Sequence, residues 1–438
     1  MTARSDRAPR VADLTAVAAG TGPPGGRLAR LNDQLAYALE RSPHYRRAWP
    51  EQRGRRLGSV AELAELPFTT PAEVCAAHPD GMLAVHRREL ARYTEWRGPD
   101  GRPAAAASTA ADLRAADVAL SGALAHHFGA GDLVFVAVPY ELSPGAFDVD
   151  RALTALGAAV VPVGALSPLC PPARSAAMLA RLRPTGLATT PDRSARLAHL
   201  LTSTGTDPAG VGLRRQLFVG GAASAAKLHR LDTLWGATSI AAYGSPLTHA
   251  VGLPCAAGAL HLSHERYVAE VLVPDGDRPV PAGQPGELVL TTLAATAMPL
   301  LRYRTGDLVS MPGSGCACGG AGPLMTPHGP VADRLRLPDG WLTAVELDRT
   351  VLGVPGTGLF HAVDLRGGVL RVLVDVEAGT APDTAADAST VADAVGEALR
   401  DRSGLACAVR PADRDAFLTA LDRVGRRRLR PDDLEVRR

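Results

Sequence analysis

The sequence predicts an α/β protein: a large domain of parallel sheets covered by helices, followed by a small α+β domain at the carboxyl end. Three observations carry this expectation. At 438 residues the chain exceeds what one ordinary hydrophobic core serves, so at least two domains are expected. From Ala107 onward apolar runs alternate with helical patterns, with strands over Leu133 to Val138, Ala159 to Val163 and Leu187 to Thr190 separated by helices. That rhythm belongs to strands joined by helical crossovers. The third is the stretch GELVLTTLAATAMPLLRYRTGDL from Gly286. It reads as a strand to Thr292, a link ending at Pro299, a second short strand through Tyr303, and a turn at Gly306 that presents Asp307.

Composition narrows the class. With 46% apolar and 21% charged residues the chain is globular, and a net charge of +2 is too small to argue for a nucleic-acid or membrane partner. The apolar runs are too short to span a bilayer, and MTARSDRAPRVADL at the amino terminus has no apolar signal core, so a cytoplasmic location is expected. Of 47 basic residues only Lys227 is a lysine, so chemistry that needs a lysine has one candidate. The six cysteines include Cys316-x-Cys318, a chelating spacing, whereas Cys75, Cys170 and Cys407 are isolated and read as small packed hydrophobes.

Taken in order, the first twenty-odd residues, rich in Ala, Gly and Pro, read as a frayed arm. Leu28, Leu31, Leu35 and Leu39 recur at helical period and Ser42-Pro43 ends that helix. Thr70-Pro71 starts another, with Thr70 as N-cap and Pro71 at the first helical position. The next turn is Trp96-Arg97-Gly98-Pro99-Asp100-Gly101-Arg102-Pro103. A strand over Gln216 to Val219 leads to Gly220-Gly221-Ala222, and the helix holding Lys227 leads to a strand ending before Tyr243-Gly244-Ser245. At the carboxyl end, a strand over Gly368 to Val376, a helix over Thr390 to Arg400 and a strand over Ala406 to Val409 suit a small α+β lid.

The block from Gly286, together with LPFTT at Leu66–Thr70 and GMLAV at Gly81–Val85, resembles the phenylacetate-CoA ligases, a branch of the adenylate-forming enzymes. The hallmark of that family, Pro-Leu-Ile-Arg-Tyr-Arg-Thr followed by Asp, stands here as Pro299 to Thr305 and Asp307. The resemblance runs in order of blocks from about Leu31 to Arg428. It implies a large AMP-binding-like domain over 1–331 and a lid domain over 332–438, with a hinge near Asp333. It further implies that Asp307 binds the AMP ribose, that Gly220, Gly221 and Ala222 lie along the adenine, and that Tyr243 stacks on it beside Gly244. Tyr140 and Ser245 are the implied acyl-pocket residues, although a structural tyrosine at the sheet edge fits Tyr140 equally. Cys255 and His261 resemble the family's Cys-x5-His segment and, with Cys316 and Cys318, form a closed Cys3His set of structural-zinc type. His264 is an alternative ligand.

The active-site blocks depart from this pattern. The family's phosphate loop is rich in hydroxyls; here Pro99 removes a donor and Asp100 adds a negative charge, leaving Arg97 and Arg102 as replacements. The family's magnesium-binding Glu position is Leu247, which cannot coordinate a hard cation. His249 is the nearest titratable side chain, a candidate base or a satisfied structural histidine. The catalytic lysine of the lid is replaced by Arg426 in Gly425-Arg426, a cation of different reach. AMP or ATP remain implied cofactors, while magnesium is disfavoured. The expected partners are a small acyl or carboxylic-acid substrate and a CoA or carrier-protein thioester. Oligomeric state stays open, a homodimer included. Three functions remain: a repurposed acyl-handling enzyme with adenylation lost or weakened, an ATP-dependent carboxylate-activating ligase, and a non-catalytic ligand- or partner-binding relative.

Overall fold

The computed structural model describes residues 26–98, 101–313, 315–320, 322–337, 340–377, 388–424 and 429–434. Two compact units form: 1–168 with 240–326, and 169–239 with 327–438. The expected boundary at 331/332 lies close to the second crossing, but 169–239 groups with the carboxyl-terminal residues. The bonds of the helix Ala225–Trp235 give the reason. Arg230 donates to the carbonyl of Leu352 at 2.9 Å, and Asp348 accepts the N–H of Ser224, the helix's N-cap, at 2.9 Å.

In the first unit, helix Arg27–Arg41 buries Leu31, Leu35 and Leu39 along one stripe, as their spacing predicts. Each fully buried leucine contributes about 1.5–3 kcal/mol, so this stripe alone anchors the amino-terminal region. Thr70 caps helix Pro71–Ala76 in a reciprocal capping box with Glu73. Strands Leu90–Arg97 and Pro103–Thr109 form an antiparallel hairpin, and the second runs directly into helix Ala110–Leu124, capped by Thr109 and Asp112. Strands Leu133–Val136 and Ala159–Pro162 pair in parallel around helix Pro144–Ala155, the crossover unit that the sequence pattern predicts.

Strands Tyr267–Leu272, Gly286–Thr292 and Tyr303–Ser310 form an antiparallel run whose middle strand is buried throughout. The sequence places the second hallmark strand before Gly306; in the structure it begins at Tyr303 and continues to Ser310. The register slips between Glu287 and Val289, which face Leu308 and Arg304, so residues 305–307 bulge from the ladder. Gly306 takes φ +71° there, and Asp307 sits on the bulge.

In the second unit, strands Gly186–Thr189 and Arg215–Val219 pair in parallel. Strands Thr357–Arg366, Val369–Val376 and Ala406–Pro411 form a mixed sheet with helix Ala388–Ser403 beside it, as the lid pattern predicts. Among the described residues no helix is long and apolar enough to cross a membrane.

Candidate functional site

The hallmark arginines serve the fold. Arg302 is 3% exposed, and its Nε and Nη2 donate to the two carboxylate oxygens of Glu270 at 3.0 and 2.8 Å. Its Nη1 donates to the carbonyls of Ala64 and Leu66, and its guanidinium lies 4.1 Å from the Phe68 ring centroid. Arg304 pairs with Glu287, and its guanidinium lies 4.8 Å from the centroid of the same ring. The motif therefore ties LPFTT to the bulged strand. On the bulge, Asp307 Oδ2 accepts the hydroxyl proton of Tyr243 at 2.9 Å, so these expected nucleotide residues meet each other. Gly220 and Gly221, both at positive φ, and Ala222 lie in the second unit, between strand Arg215–Val219 and the N-cap Ser224.

The expected phosphate loop is the tip of the hairpin. Gly98 N–H donates to the Arg102 carbonyl and Gly101 N–H to the Gly98 carbonyl, both at 2.9 Å; Arg97 Nη1 donates to the Gly101 carbonyl at 3.2 Å. The N–H groups of Gly98 and Gly101 are thus spent inside the turn. Pro99 and Asp100 lie outside the described residues.

His249 lies at the far end of a tight turn whose start is Ser245, held by Thr248 through both its N–H and its hydroxyl. Its φ is +55°, a left-handed value uncommon for histidine. The turn needs a glycine opposite: a Cβ on Gly244 would come within 1.9 Å of the His249 carbonyl oxygen. His249 is buried, and its two ring nitrogens have different partners. Nδ1 lies 2.7 Å from Asp148 Oδ2, and Nε2 lies 2.9 Å from Ser108 Oγ. Asp148 Oδ1 accepts from Arg151 at 2.8 Å and from Arg92 at 3.4 Å. Burial alone would raise the Asp148 pKa, but the hydrogen bond and charge of His249 and the Arg151 guanidinium outweigh it and hold the carboxyl below its ordinary value. Asp148 is therefore an acceptor, and in the tautomer with the proton on Nδ1 the other ring nitrogen, Nε2, accepts from Ser108.

Ser108 and His249 line a small cavity of about 40 Å³, with Leu247 and Met298 among its apolar walls. Tyr140 lies elsewhere in the unit, donating to Asp150 at 3.0 Å and standing edge-on to Phe147. Burial, then its bond to Asp150, raises its pKa. Ser108 and Asp148 escaped sequence reading. The one local signal was Thr109-x-x-Asp112, a capping-box spacing that places Ser108 where a strand becomes a helix.

Cys255, His261, Cys316 and Cys318 bring one ligand atom each within 4.8 Å of all the others. The Cys255–Cys316 sulfur separation is 3.7 Å and the Cys318 Sγ–His261 Nε2 distance is 3.5 Å. A tetrahedron with metal–sulfur bonds of about 2.3 Å and a metal–nitrogen bond of about 2.0–2.1 Å has edges of about 3.8 and 3.5 Å, so the donor set fits zinc. His261 Nδ1 donates to the Gly322 carbonyl at 2.6 Å, which leaves Nε2 as the ligand atom. The Gly320 N–H, then Cys316, lower the Cys318 pKa to about 7, while Cys316 itself is raised. His264 faces Glu265 instead.

Lys227 is buried in the second unit against Asp192, with Asp348 at 3.8 Å. Burial would lower its pKa, yet the two carboxylates raise it well above the usual lysine value. It is a fixed cation. Arg426 lies outside the described residues.

No protein-family model matches the chain. It is 31% identical over 302 residues to the phenylacetate-coenzyme A ligase of Thermus thermophilus, a stretch that spans 66% of this chain and 66% of that protein. The phenylacetate-coenzyme A ligase of Aromatoleum evansii is 28% identical over 294 residues, covering 65% of each chain. Among solved structures, a 2-hydroxyisobutyryl-CoA ligase in the postadenylation state superposes with a TM-score of 0.79 over 91% of both chains at 23% identity. The matched stretch thus spans just under two thirds of the length of these curated relatives, while the likeness of fold extends over most of the chain.

Proposed function

This chain is a homologue of the phenylacetate-CoA ligases with the fold of adenylate-forming CoA ligases, and from that premise we propose an enzyme for a small acyl or carboxylate-type substrate in which ordinary ATP-dependent adenylation is lost or weakened. The observation that carries this reading is the hairpin tip, whose Gly98 and Gly101 N–H groups are bound to carbonyls of the same turn. Adenylation needs donors around the polyphosphate, an oxygen ligand for magnesium and a mobile cation for the developing charge. Leu247 supplies no such ligand, and Lys227 is locked between carboxylates. The expected partner is a CoA or carrier-protein thioester.

A second reading, an ATP-dependent carboxylate-activating ligase, is favoured by the contact of Tyr243 with Asp307, the pair expected to hold adenine and ribose. Pyrophosphate release over a panel of short carboxylic acids separates the two. Release that depends on both ATP and an acid supports the ligase; turnover of preformed acyl thioesters without ATP supports the first reading.

The Cys3His cluster is proposed as a structural zinc site. Its four protein ligands leave no position for substrate, so its contribution is to fasten the loop after His249 to the loop after Asp307. Metal analysis should find one zinc per chain and almost none in the Cys318→Ser variant. Equal zinc in both proteins would contradict the assignment.

A further inference from the structure

We propose that Ser108 is a nucleophile, with His249 as its general base and Asp148 as the positioning residue, and that it accepts a short acyl group from an activated thioester. This deepens the reading above, since it supplies a route to acyl transfer that needs no nucleotide.

The geometry has the three parts such chemistry requires. The Ser108 hydroxyl donates to His249 Nε2 at 2.9 Å; His249 Nδ1–H donates to Asp148 at 2.7 Å; Arg151 and Arg92 fix the far oxygen of Asp148. In this tautomer Nε2 is placed to take the Ser108 proton. All three residues are buried, yet Ser108 and His249 line the cavity, so the chain of bonds ends on open space. The left-handed backbone of His249, enforced by the close approach of Gly244, is strain of the kind that gathers where a side chain must be aimed.

Ser108 also sits at a strand-to-helix junction. Helix Ala110–Leu124 begins two residues later. Its capping box uses the N–H groups of Thr109 and Asp112. The cavity selects by size. One water needs about 10–15 Å³ on this measure, so 40 Å³ holds about three heavy atoms, the size of an acetyl group.

In the first step the Ser108 Oγ–acyl carbon bond forms and the carbon–sulfur bond breaks. The Oγ proton passes to His249 Nε2 and then to the departing thiolate, which leaves as a thiol. In the second, water attacks the ester carbon, gives its proton to Nε2, and Ser108 recovers that proton as the carboxylic acid leaves. Atoms and charge balance without a further reagent.

The test incubates the zinc-bound full chain, free of nucleotide, with acetyl and propionyl thioesters of N-acetylcysteamine and, separately, with a fluorophosphonate probe. Thiol release, intact mass and the labelled peptide are recorded. Wild type should acquire the acyl or phosphonyl mass on the peptide containing Ser108, and Ser108→Ala should abolish it. His249→Asn, whose replacement tolerates positive φ, should slow acylation at least about 100-fold. Asp148→Asn should lower kcat with little change in KM and leave Ser108 as the modified residue. Ser108→Cys, a nucleophile of similar size, should regain an acyl adduct and keeps the test decisive should the alanine variant unfold. An unmodified wild type, modification surviving Ser108→Ala, or undiminished rate in His249→Asn would overturn the proposal. Those failures leave the weakened-adenylation reading intact, whereas ATP-dependent pyrophosphate release would sink that reading without touching the labelling result.

Discussion

Two of the buried charge networks among the described residues, one in each compact unit, differ in where they end. In the second unit Lys227 is enclosed by Asp192 and Asp348, and Asp348 is further bound by the Ser224 N–H. Each of those bonds ends on another protein group, with no hydroxyl on a cavity wall at its end. In the first unit Asp148 is likewise held, by Arg151 and Arg92, but the bonds run outward through His249 to a hydroxyl on a cavity wall. Burial and perturbed ionisation are common to both networks. What separates a structural network from one that can do chemistry is an end group exposed to a space a substrate could fill.

The sharpest way to break this comparison is at Lys227. Lys227→Met removes the cation and leaves the buried Asp348 beside the part-exposed Asp192. Unfolding in urea should show a loss of about 3–5 kcal/mol, the usual cost of orphaning a buried charge. A loss under about 1 kcal/mol would mean the network is wetter and looser than described. Next in size is Gly244→Ala. The added methyl collides with the His249 carbonyl, so the turn must shift; about 1–3 kcal/mol of stability should go, along with most of any Ser108 reactivity. If stability falls while Ser108 reacts as before, the turn does not aim His249.

The smallest effect should appear at the acid edge. Asp148 and Asp348 both have pKa values lowered in the folded chain, first against burial and then by His249 and Lys227 respectively. A carboxyl lowered in the native state contributes stability that is complete above its unfolded value, about 3.9, and disappears as pH falls through the folded value. Asp148→Asn should therefore flatten part of the acid limb of the stability–pH curve. A limb of unchanged slope would show that Asp148 is not held in this way.

Much of the frame was legible because its causes are local. Thr70-Pro71 and Glu73 specify a helix start within four positions, and the structure forms that capping box. The strands of the alternating region likewise appear within a residue or two of their expected limits. The Cys and His positions were legible from family resemblance, and only the fold could bring both pairs to one point. Two things were not legible. The tip of the hairpin kept its glycines, but sequence could not say that their N–H groups close on the turn itself. The Ser108–His249–Asp148 chain was invisible because its bonds join residues 141 and 101 positions apart, with no spacing to read. Residue type alone made His249 a candidate; the bonds on its two nitrogens identify what it can do.

The central claim is that the nucleotide site has lost its hold on ATP. Calorimetric titration of the zinc-analysed protein with ATP plus magnesium, and separately with AMP, tests it most directly. The account predicts no measurable binding of ATP with magnesium, whether or not AMP binds through Tyr243 and Asp307. Saturable, magnesium-dependent binding of ATP at micromolar concentrations would contradict it and return the chain to the ATP-dependent ligases.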